Sequence, residues 1–219
     1  RTSDISTLSQ SENGPSYAQG VAKAYQLAIE HALTLTNEST PLIVMGHLHA
    51  KGGNISGDSE RNLVIGGEEA ISASVFGKHA NYVALGHLHK AQLVAKNEYI
   101  RYSGTPIPMS FSERKYTHQV NIVEFNGQKD QPLSTTVNPL YIPRLAEVIV
   151  LPEGECVPLA QLCEQIKALD TQQYEIAPYL RVKLKSSDID TTFREQIEQA
   201  LKGKQVNFCG IERVRDQQV

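Results

Sequence analysis

Two stretches of this chain, PLIVMGHLHA at 41–50 and NYVALGHLHK at 81–90, run from an apolar segment into the same tetrapeptide, Gly-His-Leu-His. Nothing else in the sequence restricts the fold as strongly. LIVM at 42–45 and YVAL at 82–85 are short, continuous apolar runs. Such runs suit strands of an α/β sheet covered on both faces. Glycine lets the backbone turn sharply at the end of each run. A His-x-His that follows sets two imidazoles two residues apart, on one side of an extended backbone. The C-terminal edge of an α/β sheet is where such folds hold their ligands, and imidazole suits manganese, iron, zinc and other transition metals. One such tetrapeptide more often marks hydrogen-bonded polar residues than ligands. Two copies after two apolar runs favour a metal site, and three or more of the histidines converge if the strands are neighbours.

The composition permits a globular fold. The 219 residues are 40% hydrophobic and 21% charged, enough to bury one large core or two small ones. A net charge of −3 does not mark a nucleic-acid binder, although a local basic patch can sit within such a total. Cys156, Cys163 and Cys209 form no CxxC pair and read as reduced thiols of a cytoplasmic protein. No apolar run nears the roughly 20 residues that span a bilayer, so no membrane partner is expected. The chain opens on Arg1 rather than Met.

Residues 1–16 are polar and aperiodic and read as a loop. Val21, Ala24, Leu27, Ala28, Leu33 and Leu35 fall loosely at helical spacing over 17–35, with Ser16 a candidate N-cap. Residues 50–60 are a Gly-rich loop, 61–67 a further strand and 70–76 a short helix. QLVAK and YIRYSG form a hairpin. HQVNIVEFNG at 118–127 alternates and ends in the turn pair Asn-Gly. PLYIPR at 139–144, with two prolines, reads as a linker. Beyond it AEVIVL, PLAQLCEQIKAL, YLRVKLK, TTFREQIEQALKG closed by Gly203, and VNFCGIERVR give a βαβαβ module of ~80 residues. The expected domains are 1–138 and 139–219.

A two-metal phosphate-cleaving site normally carries a bridging carboxylate. Asp4, Asp58, Asp130, Asp170, Asp188, Asp190 and Asp216 lie in loops or beside the second module, and none follows an apolar strand in a DxH, GDxxD or GNHD setting. A complete two-metal site therefore cannot be assembled from these motifs. NYVALGHLHKAQLV, followed by EYIRYSGTPIPMSFSE, with VMGHLHAKGG upstream, resembles the SbcD exonuclease family of the calcineurin-like metallophosphoesterases. The resemblance extends over nearly all of the chain after Tyr17.

That resemblance implies an α/β (α+β) fold: the C-terminal half of a metallophosphoesterase β-sandwich flanked by helices, then a small βαβαβ capping domain. It implies two divalent metal ions, with manganese expected, in the full-length protein. His87 and His89 map onto ligands from the second motif, and His47 onto the ligand from the first. His49 has no assigned ligand role. The repeated tetrapeptide then reads as one structural solution used at two strand ends, since the flanking sequences differ. The DxH, GDxxD and GNHD motifs would precede residue 1, so this chain is expected to be the C-terminal part of a larger protein, to hold no catalytic residue of its own and to be inactive alone. Implied partners are DNA, an SbcC-type coiled-coil ATPase and a second copy in a homodimer. The implied activity is double-strand exonuclease and single-strand endonuclease cleavage by metal-activated water. Lys90, Arg101 and Ser103 are candidate DNA contacts, Arg101 equally a structural or solvated charge. Tyr102 reads as core, Arg114 and Lys115 as turn surface, and His31, His79 and His118 as ordinary polar residues. The alternatives are another calcineurin-like phosphoesterase, or a non-catalytic platform for DNA or a partner.

Overall fold

The computed structural model describes residues 17–37, 39–53, 70–127 and 133–215. Ser16 and the strand expected over 61–67 lie outside the described residues. The fold is mixed α/β and divides into two compact units, Arg1–Ile142 and Pro143–Val219. Each is described by itself.

The first unit begins with helix α1, Tyr17–Leu35. Its inward side carries Ala18, Val21, Tyr25 and Ile29, spaced three and four residues apart along one stripe. Leu27, Leu33 and Leu35 are exposed, so the inward stripe is not the one that leucine positions suggest. Strands β1 (Ile43–His47), β2 (Tyr82–Gly86), β3 (Gln92–Val94) and β4 (Asn97–Tyr102) form a sheet in the order β1-β2-β4-β3. β1, β2 and β4 run parallel, and β3 closes the expected hairpin on β4. β2 is internal, and Tyr82, Val83 and Leu85 are all buried, as a continuous apolar run predicts.

β1 corrects the expectation for LIVM. Only Val44 of this strand is buried, while Ile43 is 48% and Met45 75% exposed. Among the described residues β1 has β2 as its single strand neighbour, and only its Val44 side meets the core. An apolar run alone does not distinguish an edge strand from an internal one. The helix expected over 70–76 is a short 3-10 helix, Ala73–Phe76, whose Phe76 is fully buried with its ring edge-on to Tyr25 at 5.4 Å.

β5 (Gln119–Asn126) and β6 (Ser134–Tyr141) pair antiparallel in a separate two-stranded sheet. Asn121 Nδ2 donates to the Tyr82 hydroxyl at 3.2 Å, which ties this ribbon to β2. The linker expected at 139–144 is corrected in its first half: Pro139, Leu140 and Tyr141 complete β6. Among the described residues β6 pairs only with β5, and an edge strand tolerates a residue without an N–H.

The second unit follows the expected order: β7 (Val148–Leu151), α2 (Leu159–Ala168), β8 (Tyr179–Lys185), α3 (Phe193–Leu201) and β9 (Asn207–Val214). The strands are parallel in the order β7-β8-β9. Leu180, Val182 and Leu184 of β8 are fully buried in one cluster with Leu162 and Ile166 of α2 and Ile197 of α3. Cys163 lies in the same core, and burial pushes its thiol pKa up. No helix among the described residues is long and apolar enough to cross a membrane.

Candidate functional site

The two Gly-His-Leu-His segments end adjacent parallel strands. His47 is in register with Gly86, and Leu48 N donates to Gly86 O across the pair at 3.3 Å. The leucine of each tetrapeptide is buried in the same core, Leu48 at 8% and Leu88 at 2% exposure. The repeat thus has one mechanical meaning in both places. An apolar anchor locks the strand end, and the histidines on either side of it are held at the sheet edge. Gly86 eases a close approach, because a Cβ there would lie 3.1 Å from His47 Nδ1 and press the ring aside. The neighbouring strand end therefore leaves room for the His47 ring.

That ring meets His87. The two imidazole centroids are 5.5 Å apart with an interplanar angle of 68°. Imidazoles sharing one metal at about 2.1 Å per metal–nitrogen bond have centroids about 5 Å apart, so the pair has the spacing of two ligands on one ion. Among the described residues, no group of three or more His, Cys, Asp and Glu side chains is gathered closely enough to hold a metal ion. The donor set fits part of a transition-metal site, whose remaining positions call for further ligands. His87 has φ +108°, a conformation that costs a non-glycine residue on the order of 1–3 kcal/mol and concentrates at functional sites.

His89 faces a different group. Its Nδ1 lies 2.8 Å from Glu113 Oε1, and the Glu113 side chain is completely buried. The other carboxylate oxygen accepts the Met109 backbone N–H at 2.8 Å. Sequence reasoning missed Glu113, although it sits in the quoted PIPMSFSE segment. Glu113 stands outside any aspartate motif and meets its histidine 24 positions away. The backbone of His89 is also held: Thr105 N donates to His89 O at 3.0 Å. Gly104 at φ +80° lets the chain pass, since a Cβ there would lie 2.7 Å from both His89 O and Ala91 N.

His49 points into its own loop, with Nε2 3.4 Å from Gly53 O. Tyr102 braces that loop from β4. Its hydroxyl donates to Leu48 O at 2.7 Å and accepts from Ala50 N at 2.8 Å. Tyr25 braces β1 from α1 by donating to Met45 O at 3.2 Å, and burial raises its phenol pKa above the ordinary value. His118 is buried, with Nδ1 3.0 Å from Thr105 O and no hydrogen-bond partner for Nε2 among the described residues. It anchors the loop that carries Thr105.

Of the candidate DNA contacts, Lys90 is exposed beside His89, its Nζ 5.8 Å from the Tyr116 ring centroid. Ser103 precedes Gly104 and is partly buried. Arg101 Nε donates to Glu98 O of its own strand, so its side chain folds back on the hairpin.

Residues 144–219 match the family model described as type 5 capsule protein repressor C-terminal domain, SbcD_C. The chain is 31% identical over 173 residues to the D subunit of nuclease SbcCD from Rhodobacter capsulatus, covering 78% of this chain and 41% of that protein. It is 29% identical over 222 residues to the D subunit of nuclease SbcCD from Escherichia coli K12, covering 99% of this chain and 53% of that protein. The corresponding protein of Bacillus subtilis is 39% identical over 98 residues, 44% of this chain and 25% of the relative. The chain therefore spans about half the length of these curated relatives or less. Strand-end histidines and this pattern of matches define the class as relatives of nuclease subunits. More particularly, the chain is a relative of the D subunit of nuclease SbcCD, the family its motifs resemble.

Proposed function

We propose that this chain is part of an SbcCD-type nuclease subunit that hydrolyses DNA phosphodiesters with divalent metal ions, manganese foremost. The observation that carries the reading is the His47–His87 pair, set 5.5 Å apart by two adjacent strand ends in a chain similar to the D subunit of nuclease SbcCD along almost its whole length. His47 and His87 bind metal, and His89 supplies a further ligand from the same loop. Bound there, a divalent ion supplies Lewis-acid polarisation of the phosphodiester and a water of lowered pKa. Lys90, exposed at the end of the second motif, and Ser103 contact the DNA backbone, where such groups set register without reading sequence. Arg101 belongs to the same set of DNA contacts, with its Nε held by Glu98 O. The metallophosphoesterase sandwich, the homodimer and the coiled-coil ATPase partner belong to the same proposal for the whole protein.

A pair of gathered imidazoles leaves a metal under-coordinated, so the 219-residue chain binds manganese weakly and does not cleave DNA alone. The test compares manganese-dependent cleavage of linear duplex by the natural full-length protein, its His87→Ala variant and this chain, with manganese affinity measured by calorimetry on each. Cleavage by the full-length protein alone, with at least tenfold weaker manganese binding by the variant, supports the reading. A full-length protein that neither cuts nor binds manganese favours the non-catalytic platform, and unchanged affinity in the variant removes His87 from the site.

A further inference from the structure

We propose that Glu113 is a positioning residue that holds His89 in the tautomer protonated at Nδ1 and leaves Nε2 as the ring's lone-pair donor. The inference deepens the metal reading above and rests on it for its functional meaning, but its geometry stands independently. The Glu113 side chain has no exposed surface and lies 2.8 Å from His89 Nδ1 through Oε1. An ionised carboxylate accepts hydrogen bonds and donates none. With Glu113 ionised, the proton at that contact sits on Nδ1, because a lone pair there would face a second lone pair. The other oxygen is committed as well, since the Met109 N–H it accepts at 2.8 Å is a donor in every protonation state.

One carboxylate therefore satisfies two donors that approach from different segments. Glutamine cannot replace it, although it matches the shape. A carboxamide offers one acceptor and one donor group. With its oxygen toward Met109, the NH2 faces His89 and selects the opposite tautomer, protonated at Nε2. With its oxygen toward His89, the NH2 faces the Met109 N–H, and a buried donor loses its acceptor. The backbone on both sides of the contact is fixed. Thr105 N bonds His89 O, and Glu113 lies in the 3-10 helix Phe111–Lys115, entered from the Met109 turn. The segment PIPMSFSE thus works as a clamp behind His89, and the proton it holds on Nδ1 places the lone pair on the ring's other nitrogen.

The experiment uses the 15N-labelled 219-residue chain, metal-free at about pH 8, above the ordinary imidazole range. Long-range 1H–15N correlation reads the tautomer of each histidine, and loss of one pattern in His89→Gln identifies His89. The expected result is a protonated Nδ1 and an unprotonated Nε2 in the wild type. Glu113→Gln moves the population toward the Nε2-protonated form and weakens manganese binding by about 10- to 100-fold, the usual effect of removing a partner that orients a metal-ligating histidine. A wild-type His89 protonated at Nε2 overturns the proposal. So does a Glu113→Gln variant with both an unchanged tautomer and wild-type stability in urea, since either orientation of the carboxamide changes one of the two. If that variant does not fold, the wild-type tautomer decides alone. Failure of the natural full-length protein to bind manganese sinks the metal reading, whereas the tautomer needs no metal to be observed.

Discussion

Tyr102→Phe deletes a single oxygen and strands two buried backbone groups. The hydroxyl donates to Leu48 O at 2.7 Å and accepts from Ala50 N at 2.8 Å. Leu48 is 8%, Ala50 0% and Tyr102 1% exposed, so water does not replace the lost partner without opening the core. Each orphaned buried group costs about 1–3 kcal/mol. The sum is about 2–4 kcal/mol once partial relaxation is allowed. The ring itself stays, so no cavity term adds to it. With a urea m-value of about 2 kcal/mol/M, mid-range for a unit of this size, the midpoint falls by about 1–2 M. Urea unfolding should be followed by amide signals of the first unit, because two units need not melt together. Amide exchange at Ala50 should accelerate in parallel, since its N–H has lost its acceptor. A midpoint shift below about 0.3 M at unchanged m would refute the argument that this hydroxyl braces the loop after His47.

Gly104→Ala should destabilise the first unit by at least about 1–3 kcal/mol from its positive φ alone, with the added Cβ displacing the His89–Ala91 backbone. A urea midpoint equal to wild type would show that this backbone yields freely. His87→Gly and His87→Ala should lose manganese affinity equally, yet the glycine variant should be more stable by about 1 kcal/mol, because only alanine keeps a Cβ at φ +108°. An alanine variant as stable as the glycine one in urea would mean that no strain is stored there. Met45→Lys in the 219-residue chain should change stability by less than about 0.5 kcal/mol, since Met45 is 75% exposed. A loss above about 2 kcal/mol would restore the reading of β1 as a strand covered on both faces.

What the sequence showed well was local. The βαβαβ module was legible because it rests on neighbours three, four or two positions apart, and Gly203, at φ +79°, closes α3 as its position implied; helix α1 was legible as a helix, while its buried stripe of Ala18, Val21, Tyr25 and Ile29 was not. β2 was legible because an internal strand is apolar throughout. β1 carries an equally apolar run, yet only its Val44 face is covered, because burial of a face depends on what packs over the sheet and not on the strand's own composition. PLYIPR was misread for a related reason: its prolines are compatible with a linker and equally with a strand whose outer edge is unpaired. Of the candidate DNA contacts, Arg101 read equally as a structural charge; its Nε is held by Glu98 O, while Lys90 is exposed.

For the site, the sequence by itself determined that two strand ends each present histidines around a leucine, because Gly-His-Leu-His after an apolar run has that meaning wherever it occurs. Pairing these strands side by side, with His47 opposite Gly86, was decided by the tertiary structure, and so was the meeting of His47 with His87. The same holds for His89 and Glu113. A buried carboxylate is stable only where donors surround it, and those donors come from His89 and from the Met109 backbone, 24 and 4 residues away. No periodicity in the chain records that encounter, because side-chain spacing encodes which face a residue occupies and not which distant face it meets.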